Sequence, residues 1–177
     1  HHWGFETQGV VPDIVTMGKP LGDGHPLAAV VTTPEIAEAF ARRHDYFNTF
    51  GGNPVSAAVG LAVLDVIEEE NLLQNVNATG NHLRAGLEEL KARYEVIGDV
   101  RGKGLFYGVE LVSDRDTRAP APDQAVRARE FLRNHGILLS VTGPHGNVLK
   151  IRPPLVFAKQ HAERLLEGLE VALKCRA

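Results

Sequence analysis

The apolar positions change period along the chain, and each change marks an element. Residues 13–17, with Ile14, Val15 and Met17 apolar and Gly18 as a terminator, predict a short buried strand. Residues 26–31 (PLAAVV) predict a second strand, apolar throughout, and between the two Pro20, Gly22, Gly24 and Pro26 hold a tight irregular loop. Thr33 and Pro34 supply a cap and a first-turn proline, so 35–43 read as a short helix with Ile36, Ala37, Phe40 and Ala41 on one face. Asn53 and Pro54 repeat that signal ahead of the strongest helix, whose stripe runs through Val55, Val59, Ala62, Val63, Val66 and Ile67. From 72 to about 94 a further helix buries Leu83, Leu87 and Leu90 and turns Glu88, Glu89, Lys91 and Arg93 to water.

The period then falls to two. Residues 96–102 and 105–112 read as strands, the second placing Leu105, Tyr107, Val109 and Leu111 on one face. Residues 113–122 are a polar, proline-marked excursion, and 123–135 form a helix stopped by Gly136. Strands at 137–141 and 148–151 flank a turn at 142–147, and 160–174 close the chain as an amphipathic helix through Leu165, Leu166, Leu169 and Leu173. The order predicts a partial α/β region followed by an α+β unit, an antiparallel sheet covered by helices, with the boundary near Glu70. Gly102, Gly104 and Gly108 do not form a nucleotide loop: the spacing is wrong and a strand follows.

Composition narrows the classes. With 177 residues, 44% hydrophobic content and a formal charge of −3, the chain supports one sizeable core and presents no basic surface for nucleic acid. No apolar run reaches membrane-spanning length and no secretory segment opens the sequence. The single cysteine, Cys175, excludes an internal disulfide and suits a reducing compartment, here read as the cytoplasm. The eight histidines never fall at ligand spacing, so no metal site is predicted, and the acceptor-like Asn77-Ala78-Thr79 lies within a helix. Trp3 and Phe5 are large apolar residues without a lead-in; further residues are expected to precede them, and Trp3, Phe5 and much of 26–31 are expected to be exposed apolar surface.

Three places carry candidate chemistry. Lys19 emerges at a strand end beside an apolar run, where desolvation of its ammonium would leave an amine able to condense with an aldehyde. A lysine there also snorkels to water, and spacing alone does not separate the two. Gly51 and Gly52 precede a helix start whose free N–H groups favour an anion, with Thr49 adding a hydroxyl; an ordinary glycine turn reads the same way. Lys150 and Arg152 are two apart in a strand and share a face, as a binding pair or as a solvated basic edge.

The stretches PDIVTMGKPLGDGHPLAAVVTT, YFNTFGGNPVSAAVGLAVLDVIEEE, IGDVRGKGLFYGVELV and VLKIRPPLVF resemble, in order, the C-terminal part of class III pyridoxal-phosphate aminotransferases. The nearest branch is that of the ethanolamine-phosphate phospho-lyases and alanine–glyoxylate aminotransferase 2. The resemblance implies a fold-type I transferase, with 1–70 ending the large cofactor domain and 71–177 forming the small C-terminal domain. It implies pyridoxal 5'-phosphate as cofactor, Lys19 as its Schiff-base lysine and proton carrier, and Thr49, with Gly51 and Gly52, on the cofactor phosphate. The resemblance implies that Thr49 acts across a homodimer interface. The family's carboxylate-clamping arginine usually stands three residues before the Pro-Pro pair, where this chain has Lys150, with Arg152 two residues on. Lysine is a point charge without the planar fork. That departure fits a phosphorylated amino alcohol, so elimination of phosphate stands beside transamination of an amino acid or amine as the implied reaction. The ring-pairing aspartate and stacked aromatic residue lie upstream in the family, so this chain alone is expected to be inactive. A non-catalytic dimerisation module is the reading from another class.

Overall fold

The structure is a computed structural model that describes residues 1–174; Cys175, on which the redox reading rests, lies outside them. Two compact units divide the chain, His1–Leu73 and Gln74–Ala177. The first opens with a 3-10 turn at Gly4–Gln8 and continues through strand β1 (Ile14–Met17), a 3-10 turn at Lys19–Gly22 and strand β2 (Ala29–Thr32). Helices α1 (Pro34–Ala41) and α2 (Pro54–Glu69) follow. β1 and β2 pair antiparallel, Ile14 opposite Thr32 and Met17 opposite Ala29. The caps lie where the sequence puts them: Thr33 accepts from the Ile36 N–H at 3.4 Å, and Asn53 from those of Val55 and Ser56.

The burial predicted for 13–17 fails at Ile14, and the exposed apolar surface expected over much of 26–31 is found. Ile14 is 54% exposed, Val30 68% and Val31 55%; Val30 and Val31 are consecutive in the strand and lie on opposite faces, so both faces of the two-stranded ribbon present apolar side chains. Trp3 and Phe5, expected on the surface, are half-buried: the Trp3 N–H donates to the Glu6 carboxylate at 2.7 Å as the opening turn folds, and the His2 ring tilts over the indole. The second strand also starts later than its apolar run, since Pro26, Leu27 and Ala28 stay outside β2.

In the second unit α3 (Leu72–Arg93), whose first turn holds the boundary, leads to β3 (Ile97–Lys103) and β4 (Phe106–Asp114). β5 (Ala119–Pro120), α4 (Pro122–Asn134), β6 (Ser140–Thr142), β7 (Val148–Ile151) and α5 (Lys159–Lys174) complete it. The sheet is antiparallel throughout, in the order β3-β4-β7-β6, with β5 on β4. Leu105, Tyr107, Val109 and Leu111 are all buried, as their alternation predicts. Tyr107, Val109 and Leu111 meet Leu83, Leu87 and Leu90 of α3, Ala125 and Leu132 of α4, and Leu165 and Leu169 of α5 in one core. The polar excursion hides β5, which folds back so that Pro120 stands opposite Val112. Residues 137–139 remain outside β6.

One surface cluster ties α5 to the end of α3. Lys174 (2.9 Å), the Tyr94 hydroxyl (2.8 Å) and Arg93 (2.8 Å) converge on Glu170, and these donors hold its carboxyl down to about 2, from an ordinary 4.5. A depressed carboxyl stabilises the fold above its unfolded value, and that contribution disappears as pH falls through the folded one. The urea midpoint of the intact protein is therefore expected to exceed that of Glu170→Gln at neutral pH, with the gap closing between about pH 4.5 and 2. A gap independent of pH would contradict this account of the cluster.

Candidate active site

Lys19 heads the turn after β1 in a conformation that side chains avoid. Its φ is +49°, left-handed, and it precedes Pro20, which itself disfavours helical backbone at the residue before it. Successive turn bonds follow: Leu21 N–H to Gly18 O, Asp23 N–H to Pro20 O at 3.1 Å and His25 N–H to Gly22 O at 2.9 Å. Gly22 is buried and closed in by Leu27 and His25, whose Cβ atoms would lie 3.0 and 3.3 Å from an added methyl group. The turn packs on α2. The Lys19 side chain is exposed and has no hydrogen-bond or ionic partner among the described residues. The expected apolar wall around the amine is thus not built by the described residues: a strand that ends in a tight proline turn projects its next side chain outward.

Thr49, Gly51 and Gly52 form an exposed bend before α2. Gly52 is required by its backbone, with φ +70°, and Gly51 by its neighbour, since a methyl group there would stand 2.9 Å from the Asn48 side chain. The expectation of free N–H groups at the helix start is corrected here. Asn53 Oδ1 accepts from Val55 N–H (2.9 Å) and Ser56 N–H (3.3 Å), and Asn48 Oδ1 accepts from Phe50 N–H (3.2 Å) and Gly51 N–H (3.0 Å). Two carboxamides thus satisfy the donors that an anion would have taken. The Thr49 hydroxyl and the Gly52 N–H keep no partner among the described residues.

Lys150 is half-buried on β7, between Gly108 of β4 and Ser140 of β6. Across Gly108 stands Arg101, which is neutralised by Asp99 (2.9 Å) and Glu110 (2.5 Å). Neither Lys150 nor Arg152 forms an ion pair with a described residue, so Lys150 is the uncompensated cation of that row. Arg152, exposed just beyond the strand, instead borders a cavity of about 350 Å³ with His161 and Arg164, and Lys150 does not line it. The structure therefore assigns the two cations different surroundings.

Two positioning contacts escape the sequence. The His25 ring meets the Ser56 hydroxyl (Nε2···Oγ 2.8 Å), 31 residues away. The Asn75 carboxamide donates to Leu155 O (2.7 Å) and Phe157 O (3.1 Å), anchoring the segment after Arg152 to α3. No local signal marks either pair. The donor set fits a cofactor that carries both an aldehyde and a phosphate: an unpaired amine at Lys19, and at Thr49 a hydroxyl on a glycine bend with one open N–H.

Residues 1–173 match the family described as aminotransferase class-III. Alanine–glyoxylate aminotransferase 2 homolog 2, mitochondrial, of Arabidopsis thaliana is 52% identical over 97% of this chain and 36% of its own length. Ethanolamine-phosphate phospho-lyase homolog 1 of Caenorhabditis elegans is 46% identical over 93% of this chain and 36% of its own. Among solved structures, a phospholyase from Arthrobacter in complex with phosphoethanolamine superposes with a TM-score of 0.94 at 46% identity, over 99% of this chain and 42% of that one. A transaminase from the marine bacterium Virgibacillus gives 0.88 at 32%, over 97% and 41%. This chain spans about a third of the length of the curated relatives it matches. With the family model covering nearly all of it and this identity to both kinds of relative, the chain belongs to the class-III aminotransferases.

Proposed function

We propose that this chain carries the lysine-bearing end of the cofactor domain (1–70) and the small domain (71–177) of a pyridoxal-phosphate enzyme that transfers an amino group from an amino acid or amine to a keto acid. The observation that carries the reading is Lys19 itself, a long side chain kept in left-handed backbone before a proline, with its amine unpaired. Strain of that kind persists only where the surroundings impose it, and it collects at active sites. When bound, pyridoxal phosphate supplies an aldehyde that an amine can attack and a ring that draws electrons from the carbon next to that nitrogen. Lys19 Nζ is the amine that holds the cofactor, gives way to the substrate's amine, and then takes and returns a proton at the substrate carbon. The Thr49 hydroxyl and the Gly52 N–H donate to the phosphate.

The loop around Thr49 exposes Tyr46 (72%), Phe47 (87%) and Phe50 (83%), a cluster that a second copy of the chain would cover. That supports a homodimer in which Thr49 of the partner subunit completes each site. The reading of a reducing interior such as the cytoplasm stands beside relatives whose names include "mitochondrial".

Lys150 supports elimination of phosphate from an amino-alcohol phosphate as the second reading. It is an unpaired point charge, suited to a phosphate and poorer than arginine at clamping a carboxylate. Both reactions begin with the same proton abstraction by Lys19 and diverge on whether the adjacent carbon bears a leaving group. Product analysis of the full-length enzyme separates them. Amino transfer that depends on a keto acid is the transaminase result; phosphate and ammonia released from ethanolamine phosphate without a keto acid is the lyase result, and in that case Lys150→Ala is expected to raise KM roughly tenfold or more, as loss of a charged contact does.

A further inference from the structure

Nothing on the Lys19 side chain holds it in place. It has no hydrogen-bond or ionic partner among the described residues, so what the fold fixes is the direction in which the side chain leaves the chain, and that backbone is in a region where lysine does not rest unaided. The constraint has to come from the loop. From Gly18 to His25 the chain folds as successive turns, each closed by a backbone hydrogen bond, with Gly22 buried at their centre. Such a run transmits a displacement at its far end rather than absorbing it.

The far end is fixed at two points on α2. The His25 ring is hydrogen-bonded to the Ser56 hydroxyl in the first turn of the helix (2.8 Å), and Leu27 lies against Gly60 one turn on, where an added methyl group would come within 2.7 Å of the leucine. Of these only the first is directional. Ser56 spends its N–H on Asn53, leaving the hydroxyl for His25. Ser56 also follows the Thr49–Gly52 bend by four residues, so one contact joins the lysine turn to the helix that carries the phosphate-side residues.

We propose that His25 and Ser56 are positioning residues that latch the Lys19 turn to α2 and so aim the Lys19 amine at the cofactor. The inference rests on the reading of Lys19 as the cofactor lysine. Without the latch the turn is free to relax toward extended backbone at Lys19, the conformation that a following proline favours, and the amine swings away.

The test uses the full-length protein in five forms: wild type, Ser56→Ala, Ser56→Thr, His25→Leu and the double variant Ser56→Ala/His25→Leu. Two readouts are taken, the dissociation constant for pyridoxal phosphate and the rate at which borohydride fixes the cofactor on Lys19, mapped by mass spectrometry. Ser56→Ala and His25→Leu are each expected to weaken cofactor binding and slow labelling of Lys19 by about tenfold, the scale of one lost directional hydrogen bond with its positional consequence. The double variant is expected to be no worse than either single one, because both remove the same contact. Ser56→Thr keeps the hydroxyl and is expected to stay within about threefold of wild type. Wild-type affinity and labelling rate in both single variants would overturn the proposal, and so would losses that add in the double variant or that Ser56→Thr shares. Absence of Lys19 labelling in the wild type would instead refute the cofactor-lysine reading itself, so the two failures are distinct.

Discussion

In the full-length enzyme Lys19→Ala is expected to lower turnover by roughly a thousandfold or more, the range lost when a nucleophilic or proton-carrying side chain is removed. Lys19→Arg is expected to do the same. It keeps the positive charge and most of the length, but a guanidinium is never deprotonated and can neither condense with an aldehyde nor accept a proton. The pair therefore distinguishes a chemical role from a solvated strand-end charge, for which arginine would serve as well as lysine. Single-turnover kinetics on both variants checks it, and near-wild-type turnover in Lys19→Arg would end the chemical reading. An external primary amine added to Lys19→Ala is expected to restore part of the rate.

The second large effect is structural and runs against helix propensity. Gly80 lies inside α3, where alanine ordinarily stabilises by about 1 kcal/mol. Here the helix meets the β3–β4 hairpin so closely that a methyl group on Gly80 would stand 2.1 Å from the Gly104 carbonyl oxygen. That oxygen cannot step aside. Gly104 is in left-handed backbone (φ +56°), and the buried Tyr107 hydroxyl donates to the Gly80 carbonyl, holding hairpin and helix together. Gly80→Ala is expected to destabilise by about 2–3 kcal/mol, the cost of forcing a packed backbone apart. Gly86→Ala, on the same helix, meets only the rotatable end of Leu166 and is expected to stay within about 1 kcal/mol of wild type. Denaturant unfolding of the intact protein compares them; equal effects would mean that the helix–hairpin approach is looser than described.

Much of the second unit was legible because its signals are local. The alternation at Leu105, Tyr107, Val109 and Leu111 and the spacing of Leu83, Leu87 and Leu90 each state a period and a face, and the core obeys both. The caps at Thr33 and Asn53 were legible for the same reason. β5 was not: Arg118 takes a left-handed φ of +55° to reverse the chain, and a two-residue pairing leaves no periodicity to read. Ile14 was misread as buried because an apolar run shows what requires cover and not what provides it.

In the candidate site, the residue types were visible and their states were not. A glycine pair before a capped helix announces open N–H groups, yet Asn48 and Asn53, themselves in plain sight, had already claimed four of them. The left-handed backbone of Lys19 depends on how 18–25 folds against α2, and the His25–Ser56 contact spans 31 residues with no spacing rule to reveal it. Lys150 was noticed as a lysine in an arginine's place, but its isolation depends on Asp99 and Glu110 having been taken by Arg101.

The most direct test of the central claim is to load the full-length protein with pyridoxal phosphate, reduce it with borohydride and map the modified residue by mass spectrometry. The account predicts stoichiometric modification at Lys19 and none at Lys150. Modification elsewhere, or scattered over surface lysines with Lys19 untouched, would contradict it.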